Sequence, residues 1–149
     1  MPGGAIAVAS DHAGFDLKEI LKRDLQAAGH DVLDLGTKTA QSVDYPDFGT
    51  AMADALASGR AAKGVLVCGT GIGISIAANR NPKVRAALVH DVTSARLSRQ
   101  HNDANVVAFG QRLIGTETAR EALKVFLDTR FEGGRHAGRV AKLSKGCTT

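Results

Sequence analysis

Short apolar runs alternate with amphipathic segments along the whole chain. The runs are rich in Val, Ile, Leu and Ala, and polar residues or glycines bound each of them. An apolar run of this length is typical of a strand that is buried on both faces. The pattern predicts strands over residues 5–9, 31–35, 64–68, 85–89 and 106–109.

The segments between these strands repeat their apolar residues at helical spacing. In the first segment the repeat runs from Phe15 to Leu25 and stops at Gly29. Pro46 is expected to open the second helix, Asp91 or Thr93 to cap the fourth, and Thr116 to cap the fifth. Further helices are predicted over residues 46–56, 74–79, 93–99, 116–127 and 140–145.

Strands that alternate with helices predict a parallel sheet covered on both faces. We expect an α/β fold: a three-layer αβα sandwich with a doubly wound, Rossmann-like, five-stranded parallel sheet. With 149 residues, the chain is expected to form a single domain over residues 1–149. Ligands bind such sheets beyond the carboxyl ends of the strands. Cys68 and Arg112 follow strands and belong to that edge, whereas His101 follows a helix and belongs to the opposite edge.

Composition and charge narrow the classes of function. The absence of Trp and the single Tyr leave little for base stacking, and we expect no nucleic-acid partner. The net charge of +4 includes a basic tail from about residue 130, which could contact nucleic acid but suits a small anionic ligand equally well. No stretch approaches a membrane span, the start does not resemble a signal peptide, and two cysteines do not form a disulfide framework. We expect a cytoplasmic protein in which Cys147 is a solvated thiol.

Residues 65–79, VLVCGTGIGISIAAN, contain the clearest chemical motif. Cys68 ends an apolar run, and three glycines follow at alternate positions before a helix. Glycine lets backbone amides approach an anion at a helix start, and such a setting can activate a thiol. Three glycines in five residues exceed the needs of a plain turn. We therefore favour an anion site with Cys68 as base or nucleophile, although most unpaired cysteines are simply buried.

Other motifs leave structural alternatives open. The G-x-G-x-G spacing after the third strand does not match the dinucleotide fingerprint, and no P-loop lysine follows it. In SDHAG, Ser10 or Asp11 can cap the helix that follows. A cap does not explain the adjacent His12. The i, i+4 spacing of Arg135 and Arg139 places both on one helix face. That face is either a solvated basic surface or a phosphate clamp. His30 and His90 are expected to be structural or solvated, and no metal site is predicted.

Five motifs together resemble the type B ribose-5-phosphate isomerases, a family that includes the galactose-6-phosphate isomerase subunits. They are SDHAGF, DYPDF, CGTGIGISIAANR, SARLSRQHNDANVVAFGQR and FEGGRHAGRV, and they occur in the family's order from about residue 5 to residue 143. The resemblance implies an aldose–ketose isomerase of the pentose phosphate pathway that acts through an enediolate without metal or cofactor. It also implies a homodimer or tetramer with sites at the subunit interface.

The resemblance also implies roles for individual residues. Cys68 matches the proton-abstracting base, Thr70 contributes a hydroxyl, and His101 matches the acid–base residue that opens the sugar ring. One branch of the family uses a glutamate at the position of Ile74, so Cys68 is the candidate base in this loop. The residues that match substrate contacts, with the arginines as phosphate ligands, are Asp11, His12, Tyr45, Gly69, Gly71, Ile72, Gly73, Asn102, Arg112, Arg135 and Arg139.

The predicted positions of Cys68 and His101, at opposite edges of the sheet, imply a site that is shared between subunits. If Cys68 and His101 serve one substrate, His101 and Asn102 come from a neighbouring subunit, which the basic tail is also expected to contact. Ribose 5-phosphate is the leading substrate. A six-carbon sugar phosphate, such as allose or galactose 6-phosphate, would keep the mechanism. A non-catalytic phosphate- or nucleotide-binding module would need the glycine loop but neither Cys68 nor His101.

Overall fold

The computed structural model describes residues 4–145, which form a five-stranded sheet and six α-helices. The strands are β1 (Ile6–Ser10), β2 (Val32–Asp34), β3 (Lys63–Cys68), β4 (Ala86–Leu88) and β5 (Val106–Gly110). The helices are α1 (Phe15–Ala27), α2 (Tyr45–Ala57), α3 (Ile72–Ala78), α4 (Val92–Asn102), α5 (Thr116–Asp128) and α6 (Arg135–Leu143). A short 3₁₀ turn, His12–Gly14, precedes α1. Cys147 lies outside the described residues.

All five strands are parallel, in the order β2-β1-β3-β5-β4. The chain adds β2 on one side of β1 and every later strand on the other side. The order therefore reverses between β1 and β3, and the crevice beyond such a reversal is where α/β sheets bind ligands. Asp11 and Cys68 lie at the carboxyl ends of these two strands. The topology confirms the predicted doubly wound α/β fold.

Two apolar clusters, one on each face of the sheet, form the core. On one face, Leu21 of α1, Ala95 of α4 and Phe126 of α5 pack against alternate residues of the central strands. On the other face, Met52 of α2 and Ile74 of α3 pack against the remaining strand side chains. Because both faces are covered, β1 and β5 are buried along their whole length. This explains why these strands appear as continuous apolar runs.

Two predicted helix starts are wrong. The last helix begins at Arg135 rather than near residue 140, because Gly133 and Gly134 take positive φ angles of 67° and 53° and redirect the chain just before it. Thr116 is not a cap: Gly115 occupies that position, and Thr116 is the first helical residue. For α4 the cap is Asp91, whose Oδ1 accepts a hydrogen bond from the Ser94 amide at 2.6 Å.

The helices of residues 4–145 are all too short or too polar to cross a bilayer.

Candidate active site

Cys68 lies at the carboxyl end of β3 with only 4% of its surface exposed. Its Sγ accepts a hydrogen bond from the backbone N–H of Gly71 at 3.1 Å. An N–H donor stabilises a negatively charged acceptor more strongly than a neutral one. The loop thus directs a backbone donor at the sulfur, where it would stabilise a developing negative charge.

Gly71 can reach the sulfur because of its backbone conformation. Its φ is +77°, and a Cβ atom there would lie 2.6 Å from Leu88 Cδ1 and 2.8 Å from the Phe109 carbonyl carbon. Only glycine fits both the angle and the space. The loop thus packs directly on β4 and β5, and the sheet holds the amide that faces Cys68.

The first turn of α3 completes the loop. Thr70 Oγ1 accepts a hydrogen bond from the Ile72 amide at 3.2 Å. The next amides, of Gly73 and Ile74, lie in the first turn, where a helix offers no intrahelical acceptor. A Cβ on Gly73 would collide with the ring of Tyr45 from α2. The tyrosine therefore stands directly against this loop, as the predicted pocket lining requires.

Asp11 and His12 follow β1 and face the same cleft. Asp11 caps the 3₁₀ turn, its Oδ1 accepting from the Gly14 amide at 3.1 Å. His12 Nδ1 accepts a hydrogen bond from the Val43 amide at 3.1 Å. In the neutral ring the proton then lies on Nε2. His12 is thereby prepared to donate a hydrogen bond to a ligand oxygen.

Arg112 reaches the loop from the end of β5. Its backbone N–H donates to the Gly69 carbonyl at 3.0 Å. A Cβ on Gly69 would lie 3.1 Å from Arg112 Nη1, so the guanidinium lies against the glycine. The neighbouring Gln111 amide donates to the Cys68 carbonyl at 2.9 Å. The end of β5 thus supports the loop and places a cation beside it, although Arg112 itself is exposed.

A cleft of about 470 Å³ collects most of the predicted site residues. Those that line it are Asp11, His12, Tyr45, Cys68, Gly69, Thr70, Ile72, Gly73 and Arg112. Gly71 contributes its amide to Cys68 from the same loop. Ile72 and Ile76 stand at the cleft with about half of their surface exposed, 48% and 51%.

The remaining predicted residues lie elsewhere. His101, Asn102 and Arg139 line a second cavity of about 270 Å³ between α4 and α6, and Arg135 begins α6 nearby. His101 precedes β5, so it lies at the amino edge of the sheet, whereas Cys68 ends β3 at the carboxyl edge. The predicted placement at opposite edges is confirmed. A single chain therefore holds two separate groups of the predicted residues.

His136, which lines the second cavity, and Glu132, which lies beside it, had no role in the sequence prediction. The ring of His136 stacks on the ring of His101, with centroids 4.4 Å apart and planes 15° apart. Glu132 Oε1 lies 3.8 Å from His101 Nε2 and 3.7 Å from His136 Nε2. Both residues occur in the motif FEGGRHAGRV. Their four-residue spacing is a signal, but Gly133 and Gly134 break any helix between them.

The surroundings of His136 change its pKa. Burial lowers the pKa of His136, and the positive charges of His101, Arg135 and Arg139 lower it further, against the opposing effect of Glu132. His136 is therefore the imidazole that resists protonation.

His101, Glu132 and His136 also present three metal-ligating atoms within 4.8 Å of one another. A metal ion bonds in the plane of each imidazole, and two nearly parallel stacked rings do not direct their nitrogens at one point. The two rings are therefore arranged to share the Glu132 carboxylate rather than to bind a metal ion with tetrahedral geometry.

A buried ion network supports the segment that holds His12. Lys18 is fully buried, with its Nζ 3.0 Å from Asp34 Oδ1, and Lys22 Nζ lies 2.8 Å from Asp34 Oδ2. Burial raises the pKa of Asp34, but hydrogen bonds from Lys22, the Gly36 amide and Lys18 outweigh it and lower the pKa to about 2. The network fixes the start of the segment that carries the Val43 amide to His12.

Comparison with known proteins gives consistent matches. The chain matches the ribose/galactose isomerase family over residues 6–143. Ribose-5-phosphate isomerase B of Escherichia coli is 45% identical over 139 residues, which cover 93% of each chain. D-erythrulose-4-phosphate isomerase of Pectobacterium atrosepticum is 41% identical over 140 residues, covering 93% of this chain and 92% of that one. The structure of ribose-5-phosphate isomerase B from Clostridium thermocellum superposes with a TM-score of 0.93, at 46% identity and 95% coverage of each chain.

Proposed function

Because the chain belongs to the ribose/galactose isomerase family, we propose that it interconverts ribose 5-phosphate and ribulose 5-phosphate through an enediolate. Family membership makes it a sugar-phosphate aldose–ketose isomerase, which is an intramolecular oxidoreductase. One observation supports the finer assignment most strongly. The buried sulfur of Cys68 accepts a hydrogen bond from the Gly71 amide at 3.1 Å. The next amides of this loop lie in the first turn of α3, where they have no acceptor within the helix and can bind a ligand.

The loop suits the chemistry of this reaction. The C2 proton of the aldose is removed, and the resulting enediolate carries negative charge on oxygen. The proton returns to C1 while the O2 hydroxyl proton moves to O1, which leaves the carbonyl at C2. In the proposed mechanism Cys68 carries the carbon-bound proton. The loop amides and the Thr70 hydroxyl face the charged oxygens, and each such donor is worth about 3 kcal/mol in comparable oxyanion sites.

Residues across the cleft fit substrate binding. His12 directs an Nε2 proton at a sugar oxygen, since its Nδ1 is already bound to Val43. Oδ1 of Asp11 accepts a hydrogen bond from the Gly14 amide, so Oδ2 remains as an acceptor for a sugar hydroxyl. The guanidinium of Arg112 supplies the planar donor fork that phosphate oxygens favour.

We further propose that the active unit is a dimer with shared sites. Cys68 and His101 line different cavities of one chain, at opposite ends of parallel strands. The five residues of β5 alone span about 16 Å, which is too far for one pentose phosphate to bridge. A partner subunit would bring His101, Asn102 and the arginines of α6 to the cleft. The exposed Ile72 and Ile76 beside the cleft offer an apolar surface for that contact.

The proposed substrate is tested with a panel of four-, five- and six-carbon aldose phosphates, by measuring ketose formation. We expect the highest kcat/KM for ribose 5-phosphate. A higher value for allose 6-phosphate, or for a four-carbon substrate like that named for the Pectobacterium relative, would reassign the substrate.

The proposed base is tested with Cys68→Ser in the same assay. Loss of general base catalysis is expected to lower kcat by about 10² to 10⁴-fold. Binding of an unreactive pentonate 5-phosphate, measured by calorimetry, should persist. Cys147→Ser is the matched control for removal of a thiol. Full activity of Cys68→Ser would refute the assignment of the base.

A further inference from the structure

His101, Glu132 and His136 form a connected unit where α4 ends and α6 begins, and we call it the histidine unit. The two rings stack at 4.4 Å, and Glu132 Oε1 lies 3.8 Å and 3.7 Å from their Nε2 atoms. The main chain holds the glutamate in place, because its N–H donates to the Gln100 carbonyl at 3.1 Å. The backbone of Glu132 is therefore anchored beside the last turn of α4.

The two histidines differ in their access to solvent. The side chain of His101 is 39% exposed, whereas that of His136 is 9% exposed. Within residues 4–145, His136 Nε2 is buried without a hydrogen-bond partner. A buried polar atom in that state is costly, and a small rotation of Glu132 would bring its carboxylate within hydrogen-bond distance. The carboxylate thus lies close to the Nε2 atoms of one half-exposed imidazole and one buried imidazole.

The charged groups around His136 disfavour a proton on its ring. The groups that act on His136 are His101 from α4, Arg135 and Arg139 from α6, and Glu132 from the preceding segment. Burial and the positive charges of His101 and the two arginines lower the pKa of His136, and Glu132 alone opposes them. Of the two rings, His101 is the one more exposed to solvent or substrate, and its Nε2 lies 3.8 Å from the carboxylate.

We propose that Glu132 and His136 are positioning residues for His101: the stacked ring of His136 fixes the His101 plane, and Glu132 stabilises protonated His101. The inference rests on the proposed function. In ring opening, His101 gives its proton to ring oxygen O4 as the C1–O4 bond breaks, and it then receives the O1 hydroxyl proton as the C1 carbonyl forms. The proton count of the protein is unchanged at the end of the step.

This role matters only for a cyclic substrate. Ribose 5-phosphate closes its ring through the free hydroxyl at C4, so its ring must open before the C2 proton can be removed. In erythrose 4-phosphate that hydroxyl is phosphorylated, and no five-membered ring forms. The histidine unit should therefore accelerate the reaction of the pentose phosphate and have little effect on the tetrose phosphate. A general structural role would affect both substrates alike.

The kinetic test compares Glu132→Gln and His136→Gln on both substrates. We expect a loss of about 10- to 100-fold in kcat with ribose 5-phosphate and less than about twofold with erythrose 4-phosphate. If the tetrose is not turned over, solvent exchange at C1 of ribulose 5-phosphate replaces it, because this ketose has its O5 phosphorylated and stays open. Glu121→Gln and His30→Gln are the matched controls. Equal losses on cyclic and open substrates would overturn the proposal.

A second readout does not depend on activity. The titration of His136, followed by NMR of ¹⁵N-labelled imidazoles, should move to lower pH in Glu132→Gln, because the carboxylate that raises its pKa is gone. In His136→Gln the His101 resonances should broaden as the ring loses its stacking partner. An unchanged titration in Glu132→Gln would overturn the proposal even if the enzyme prefers another sugar. Failure of the whole substrate panel with a shifted titration would instead refute the proposed function alone.

Discussion

At the scale of single residues, the position of one hydrogen-bond donor decides what a side chain can do. The Gly71 amide faces the sulfur of Cys68 and holds it at the start of the loop. The Val43 amide binds His12 Nδ1 and leaves Nε2 as the donor. In both cases a backbone amide sets the geometry of a side chain in the cleft, and for His12 that amide comes from a residue distant in sequence.

Asp34 is expected to make stability sensitive to acid. Its folded pKa of about 2 lies below the ordinary value of 3.8, so its contribution is complete above about pH 4 and is lost as the pH falls towards 2. After allowance for solvent screening, this contribution is about 1–2 kcal/mol. Urea unfolding of the wild type and Asp34→Asn should show a difference at pH 7 that shrinks near pH 2.5. Asp54→Asn, at an exposed carboxylate, is the control, and a constant difference would contradict the prediction.

At the scale of elements, the β3–α3 junction is the most constrained part of the cleft. The seven-residue helix α3 begins directly after Gly71, and the loop before it packs against β4 and β5. A helix this short has little stability of its own and depends on its packing. The sheet therefore determines where the first-turn amides point, and the loop cannot be redesigned independently of it.

Gly71→Ala is expected to damage both stability and activity. The new Cβ would meet Leu88 and the Phe109 backbone at 2.6–2.8 Å, in a conformation that side chains rarely adopt. We expect a loss of about 1–3 kcal/mol in unfolding free energy and a larger proportional loss of kcat, because the amide that faces Cys68 moves. Thermal unfolding and steady-state assays measure the two effects. Gly138→Ala on α6, which has open space, is the control, and equal melting of both variants would contradict the prediction.

At the scale of the whole molecule, the parallel sheet separates the two groups of proposed catalytic residues. Residues after strands gather at one edge, and residues that end helices gather at the other. Cys68 and His101 obey this rule in the structure. In the proposed dimer each subunit contributes two half-sites, and an isologous arrangement would complete both at once because twofold symmetry repeats each contact.

Mixing two inactive variants tests the shared site. Cys68→Ala and His101→Ala should each lack activity, and a mixture with exchanged subunits should recover about one quarter of wild-type activity, since half the dimers are hybrids with one intact site each. Native mass spectrometry confirms that hybrids form. The control mixture, Cys68→Ala with Thr70→Ala, places both changes on the same half-site and should stay inactive. Hybrids without activity would refute the shared site.

Much of the fold was predictable because it depends on local patterns. Apolar runs predict buried strands wherever they occur, and the five predicted strands match those observed to within two residues at each end. Helix starts were less predictable. The start of α6 depends on positive φ angles at two glycines, and composition does not reveal which glycines adopt them. Thr116 has the residue type of a cap, but Gly115 occupies the position.

The sequence by itself determined the alternation of strands and helices, the edge of the sheet at which Cys68 and His101 lie, and the glycines that expose the loop amides. These properties follow from chain order and from residue chemistry. Only the tertiary structure brought Val43 to His12, and Glu132 and His136 to His101. Such contacts join segments that meet through packing, and hydrophobic periodicity reports only which face of a segment is buried, not which segment it meets.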